Sequence, residues 1–311
     1  MAGRDALTFD LGGRAVRVTN PGKVFFPERG LTKGDLVAHY VEHAERVLPH
    51  VAGRPMLMKR FPNGAAADFF YQKRVPEPHP EWLETVRIVF PRHNRTADFP
   101  VVRDVAGLAW IANLGCIDLN VWPTHVETLE LPDYLLIDLD PTDGNPWSHV
   151  REIALVVREV TEELGLPSFP KTSGATGLHI LVPIEPELGF KDVRRCAKAI
   201  AEEVERRIDD QAVATTTWRV ADRVGVFIDF GQNARDRTIA AAYSIRPTPD
   251  ARASAPLLWD EVAAVEPEAF TLETMPARVE AVGDPSAGME TSRVSLVPCF
   301  EALGLDPPMV A

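Results

Sequence analysis

The chain has 311 residues, 45% hydrophobic and 25% charged, which is the mix of a folded globular protein with room for a sizeable core and excludes a mainly disordered one. It has no apolar run of about eighteen residues that would cross a membrane, and residues 1–10 lack the apolar stretch of a secretory signal, so a cytoplasmic protein is expected. The net charge of −12 is unevenly spread: residues 1–110 carry 16 Lys and Arg against 12 Asp and Glu, and the remainder 17 against 33. A polyanion would therefore favour the first part and metal ions the second, unless the excess is plain solvated surface.

Residues 7–18 alternate around Gly12-Gly13 and predict a hairpin. Thr32 opens a helix, with Asp35 three residues on and Leu36, Val37, Tyr40, Val41 and Ala44 on one side. Residues 51–103 read as strands and loops rich in Arg, Lys, Pro and aromatics, and 104–114 as a short helix. From Leu131 the pattern turns α/β: a strand at 134–139, a helix at 147–164 stopped by Gly165, strands at 168–172 and 178–184, a helix at 193–208, and strands at 226–230 and 238–245. Beyond Pro247 the chain is acidic and Pro-rich, with short helical pieces. One domain is expected over residues 1–311. Residues 1–115 form a basic subregion, 116–250 an α/β core across a shared cleft and 251–311 a wrapping tail. Cys116, Cys196 and Cys299 are odd in number and far apart, which predicts buried thiols and neither disulfides nor a zinc knuckle.

The strongest local signal is Leu135-Leu136-Ile137-Asp138-Leu139-Asp140-Pro141. Strand side chains alternate, so Asp138 and Asp140 share a face, with Cα atoms roughly 6.5–7 Å apart. Two carboxylates so close repel unless a cation sits between them, and hard oxygen ligands suit Mg²⁺ or Mn²⁺. A helix cap or a turn would use the same pair. Asp229, in the apolar strand Val226-Phe227-Ile228-Asp229-Phe230, needs a partner if buried, and a shared cation would serve. Lys171-Thr172-Ser173-Gly174-Ala175-Thr176-Gly177-Leu178-His179 reads as strand, loop and strand. Its N–H and hydroxyl groups could cradle a phosphate, although it is not a Walker loop. His179 is either a core histidine or a triphosphate contact. Lys59-Arg60 and Phe69-Phe70 bring cations and aromatics together, as single-stranded nucleic acid requires, with one of the two phenylalanines expected in the core.

Taken together, the blocks NPGKVFFP, LTKGD, GRPMLMKRFPNG, DFFYQK, GLAWIANLGCIDL, LLIDLDP, KTSGATGLHILVP, VFIDFGQN and AYSIR resemble the polymerase domain of bacterial DNA ligase D, of the archaeo-eukaryotic primase superfamily. The resemblance runs over residues 20–259. It implies a primase-polymerase fold, α/β (α+β), with a central mixed sheet carrying the carboxylates. It implies a template-directed nucleotidyltransferase that adds NTPs or dNTPs, with ribonucleotides preferred, to 5′-phosphorylated DNA ends or gaps in non-homologous end joining. The implied mechanism is two-metal phosphoryl transfer with Mn²⁺ or Mg²⁺ on Asp138, Asp140 and Asp229. Lys23 and Lys33 match lysines that hold the 5′-phosphate, Lys59 and Arg60 a basic pair near nucleotide and template, and Phe69 and Phe70 stacking aromatics. Ser173 and His179 match the triphosphate loop and its following strand; Gln232, Asn233 and Arg246 match polar residues of the nucleotide site. A ligase and an end-binding protein are implied as partners, with the protein nucleoid-associated.

Three positions depart from that pattern. Asn120 stands where histidine is usual, Thr176 where lysine is, and Asp222 near an expected arginine that Arg223 could replace. Losing one charge-assisted hydrogen bond of about 1.5–3 kcal/mol weakens nucleotide binding by about ten- to a hundredfold. There is no K-x-D-G ligase motif and no room for a nuclease domain, so a stand-alone polymerase or an excised domain is expected. Two rivals remain. One is an end-binding scaffold with a decayed nucleotide site, motivated by the departures. The other is a haloacid-dehalogenase-type phosphatase, since Asp138 to Thr142 also reads D-x-D-x-T.

Overall fold

The computed structural model describes residues 6–91, 94–210 and 212–311, so half of the N-terminal segment read for a secretory signal (residues 1–5) lies outside the described residues. In chain order the first elements are β1 (Ala6–Leu11), β2 (Arg14–Thr19), β3 (Val24–Phe26), β4 (Leu31–Thr32), α1 (Lys33–Glu42), α2 (Ala44–Val51), β5 (Met56–Arg60), β6 (Phe70–Gln72), β7 (Glu84–Phe90), β8 (Arg95–Val101), α3 (Val105–Asn113) and β9 (Cys116–Val121). There follow β10 (Tyr134–Pro141), α4 (Trp147–Glu163), β11 (Phe169–Thr172), β12 (Leu178–Pro183), α5 (Phe190–Arg207), β13 (Ala214–Thr215), β14 (Val226–Asp229), β15 (Ile239–Ala240), α6 (Trp259–Val262), α7 (Met275–Val282) and α8 (Val297–Ala302). No described helix is long and apolar enough to cross a membrane.

The chain forms two compact units. Residues up to Trp122, with Thr238–Ser254 and Phe270–Ala281, make the first; Pro123–Arg237, Ala255–Ala269 and Val282–Ala311 make the second. The chain after residue 250 is thus shared between them.

In the first unit, β1 and β2 pair antiparallel through Gly12 and Gly13, whose φ of +62° and +78° give the left-handed turn that a two-residue hairpin requires. Thr32 caps α1 reciprocally: its hydroxyl accepts from the Asp35 N–H, and the Asp35 carboxylate accepts from the Thr32 N–H at 2.7 Å. Asp104 caps α3 by accepting from the Gly107 N–H at 3.0 Å. The sheet of this unit runs β15-β9-β5-β6, with β6 an edge. The strand expected over 238–245 shrinks to β15. Tyr243 takes a φ of +63° and leaves the ladder, and the Tyr40 hydroxyl accepts from the Ile245 N–H at 2.9 Å, so side chains hold this backbone.

The second unit is built on a mixed five-stranded sheet, β11-β12-β10-β14-β13, antiparallel except for β13 against β14. Helices α4 and α5 pack on β10 through buried rows, Val150, Ile153, Val157 and Val160 on one, Val193, Ala197, Ile200 and Val204 on the other. Helix α5 starts at Phe190, three residues before its apolar periodicity suggests, because Gly189 supplies an extended N-cap. Cys116, Cys196 and Cys299 are free and buried; hydrogen bonding with the Cys299 sulfur, and then burial, push the Cys196 thiol up.

Candidate active site

Register across the second sheet creates the site. Lys171 pairs with His179, His179 with Asp138, and Asp138 with Asp229, so four strands place these side chains in one row. Directly paired residues project to the same face. All four are buried. The Lys171 ammonium donates to His179 Nδ1 at 2.7 Å, which puts the imidazole proton on Nε2, 3.3 Å from Asp138 Oδ1. Asp140, two residues along β10, lies on the same face and is half-buried. Asp229 is fixed by its own turn: the Gly231 N–H donates to Oδ1 at 2.6 Å and Gln232 Nε2 to Oδ2 at 3.2 Å. One carboxylate oxygen each from Asp138, Asp140 and Asp229 lie within 4.8 Å of one another. Three carboxylates this close need a cation or protons, and an all-oxygen set fits a hard divalent ion such as Mg²⁺ or Mn²⁺.

The loop after β11 winds around Ser173. Its hydroxyl oxygen accepts from the N–H groups of Ala175 at 3.1 Å and Gly177 at 3.0 Å, and the Ser173 N–H donates to the Gly177 carbonyl. Those two N–H groups therefore serve the loop itself, and the cradle expected from the sequence is smaller. Thr176 is exposed at its tip. Gly177 lies against β10: a Cβ there would stand 2.1 Å from the Leu139 carbonyl oxygen, so only glycine fits.

The other residues singled out in the sequence belong to the first unit and form two groups. Lys23 donates to the Pro62 carbonyl at 2.6 Å and to Asn63, and Lys33 to the Thr19 carbonyl at 2.8 Å. Burial, with the positive charges of Lys23 and Arg60 nearby, pushes Lys33 down to about 8. Arg60 donates to the Leu114 carbonyl and to Gln72, and lies 5.3 Å over the Phe70 ring. Lys59 lies 4.5 Å over the Phe69 ring. Neither phenylalanine is core: both are 46% exposed, Phe70 on the edge strand β6 and Phe69 just before it, each ring packed against a cation.

The second group surrounds Asp118, which the sequence reading passed over. Asp118 is 1% exposed and, among the described residues, its carboxylate accepts no hydrogen bond, yet Lys59 Nζ lies 3.9 Å and Arg246 3.6 Å away. Its signal was available: an acid in the apolar run of β9, two residues before Asn120 and so on the same face. Asn120 donates weakly to the Asp118 carbonyl at 3.4 Å. Lys171 was likewise legible only as part of a loop motif, since its partner is set by strand register. Two further expectations change. Asn233, matched to the nucleotide site, is buried and spends its amide on the Leu136 backbone and the Phe230 carbonyl, which makes it a clamp on β10. Asp222 is exposed beside Arg219, and the guanidinium of Arg223 is engaged by the Thr217 and Trp218 carbonyls and the Phe227 ring.

The family model for the LigD primase-polymerase domain matches residues 32–286. The multifunctional non-homologous end joining protein LigD of Mycolicibacterium smegmatis is 33% identical over 272 residues, 86% of this chain and 35% of that protein. The Mycobacterium tuberculosis (strain H37Rv) protein is 34% identical over 256 residues, 79% of this chain and 33% of its own. The chain thus spans about a third of the length of these relatives. The polymerase domain of Mycobacterium tuberculosis ligase D, solved in complex with DNA, superposes with a TM-score of 0.82 at 29% identity, covering 89% of this chain and 99% of that one. The mixed α/β fold is the one the sequence predicts, and the chain belongs to the LigD primase-polymerase family.

Proposed function

We propose that this chain is a template-directed nucleotidyltransferase that adds nucleotides, ribonucleotides by preference, to 5′-phosphorylated DNA ends or gaps in double-strand break repair. The observation that carries this reading is the trio Asp138, Asp140 and Asp229 gathered by strand register, in a chain of this family. When bound, divalent cations would neutralise the triphosphate and make the attacking 3′-hydroxyl more acidic. Asp138, Asp140 and Asp229 supply the oxygens for them. The Lys171–His179 pair holds Asp138 in one orientation, and Gly231 and Gln232 do the same for Asp229. Lys59 and Arg246, drawn to Asp118 without hydrogen bonds to it, keep donors for a nucleotide. Lys23, Lys33 and Arg60 make a cation cluster suited to a 5′-phosphate, and the open faces of Phe69 and Phe70 suit stacked bases. A ligase and an end-binding protein are the partners such a step requires, with the protein working on the nucleoid.

The test is incorporation on a gapped, 5′-phosphorylated DNA with Mn²⁺ or Mg²⁺, comparing rNTPs with dNTPs and wild type with Asp138→Ala and Asp229→Ala. Extension by the wild type alone is the expected result, with rNTPs used faster. The exposed Thr176 and the engaged Arg223 favour a second reading, a non-catalytic end-binding scaffold. End binding without extension at any metal concentration would establish it. Family membership removes the basis for the phosphatase reading.

A further inference from the structure

A cavity lined by cations and aromatics lies in the second unit, and its lining includes none of the row carboxylates. The cavity, of about 530 Å³, opens between α5 and the segment around β13 and β14, lined among others by Lys191, Arg194, Lys198, Trp218 and Phe230. Lys191, Arg194 and Lys198 follow one another at intervals of three and four along α5, so they form a cationic stripe on one helix face. Lys198 is paired with Glu202 at 2.8 Å. Among the described residues no carboxylate pairs with Lys191 or Arg194. This stripe sits in the part of the chain with 17 Lys and Arg against 33 Asp and Glu, so its sign opposes its surroundings.

The aromatic residues are equally placed for a ligand. Trp218 is 52% exposed, with its ring 6.4 Å from Phe230. The Arg194 guanidinium lies 5.9 Å from the Trp218 ring and 5.6 Å from the Phe230 ring. Trp218 is held there by the backbone turn that carries Asp229: a Cβ on Gly231 would come within 2.5 Å of the indole and 2.9 Å of the Asp229 carboxylate. Exposing an indole costs apolar burial, and leaving two cations without carboxylates forgoes ion pairs. A ligand that is anionic along its backbone and flat in its side groups recovers both.

We propose that this cavity binds single-stranded DNA, with a base stacked on Trp218 and phosphates on Lys191 and Arg194. The choice of ligand rests on the proposed function; the site itself does not require catalysis. The test is therefore made without metal, nucleotide or 5′-phosphate. A labelled, unphosphorylated oligo(dT) of about ten nucleotides is titrated by fluorescence anisotropy in EDTA at several salt concentrations. Trp218→Ala is expected to weaken binding about tenfold, and Trp218→Phe to restore most of it. The double variant Lys191→Ala/Arg194→Ala is expected to lower the slope of log affinity against log salt by about 1.4. Calorimetric Mn²⁺ binding, unchanged in all three, confirms that the fold and carboxylate row survive. Affinity and slope that stay at wild-type values in both alanine variants overturn the proposal. So does a polyglutamate peptide that displaces the oligonucleotide and whose binding is weakened by the same variants, which would make this an acidic-peptide site. Loss of extension with this binding intact would instead count against the proposed function alone.

Discussion

Lys33 joins the phosphate recognition proposed for it to a pH dependence that its surroundings impose. Its ammonium is buried beside Lys23 and Arg60, and its pKa falls from 10.5 to about 8. Below pH 8 the folded chain holds a charge that its surroundings disfavour. Between pH 8 and 10.5 the unfolded chain binds more protons at this position than the folded one, so this lysine's contribution to stability rises with pH across that window. The proposed recognition runs the other way, because only the charged lysine attracts phosphate. The preference for 5′-phosphorylated over 5′-hydroxyl DNA is expected to fall as pH rises through about 8. Lys33→Arg is expected to flatten that profile, since a guanidinium stays charged. Anisotropy titrations of both DNAs between pH 7 and 9.5 measure it, and a constant wild-type ratio would contradict it. Asp118 is the other residue whose role depends on neighbours. A buried carboxylate without a hydrogen bond is costly, and the cations on either side of it are what make it tolerable.

At the scale of elements, the geometry of the carboxylate trio depends on how closely the Ser173 loop approaches β10. Gly177 has no room for a side chain beside the Leu139 carbonyl, and Leu139 sits between Asp138 and Asp140. Gly177→Ala must therefore move β10 or the loop, and a displacement of about 1 Å costs about a hundredfold in catalysis. We expect such a loss in kcat with a weakened Mn²⁺ affinity by calorimetry, while the 5′-phosphate binding proposed for the other unit stays within twofold. Wild-type Mn²⁺ affinity in this variant would show that the loop is not a support for β10. The sequence marked this loop by its two glycines and β10 by its D-x-D, because both are local patterns. That Lys171, His179, Asp138 and Asp229 stand in one row was not legible, since register between strands distant in sequence is fixed by tertiary packing. Helix caps were legible for the converse reason: Thr32 and Asp35 complete theirs within four residues.

At the scale of the whole molecule, acid sensitivity follows from histidines buried in the first unit. His39 is 3% exposed, stacked on His43 at 4.6 Å, in edge contact with Tyr40 and 3.3 Å from the Tyr243 carbonyl. Burial and the neighbouring His43 push it down to about 3, against the bonding to Tyr243. It therefore stays neutral in the fold at pH values where the unfolded chain protonates. Stability is expected to fall as pH drops from 6.5 toward 3, by up to about 1.4 kcal/mol per pH unit from this residue. Urea unfolding at pH 7 and pH 5 tests it, and His39→Gln is expected to show a smaller difference between the two. An equal difference in the variant would assign the acid sensitivity elsewhere.

Sequence alone settled what short-range patterns can settle: the hairpin at Gly12-Gly13, the capped helices, the strand ending in Asp138 and Asp140, and through several ordered blocks the family and its α/β fold. Each rests on residues a few positions apart, where backbone geometry dictates the arrangement. Tertiary structure decided the rest. It divided the chain into two interleaved units and placed Asp229 beside Asp138. It also turned Asn233 into a backbone clamp, exposed both Phe69 and Phe70, and set Trp218 beside Arg194 of α5. These outcomes depend on which strands pair, which strand is an edge and which side chains meet across long sequence separations. Local composition and periodicity carry no record of those choices.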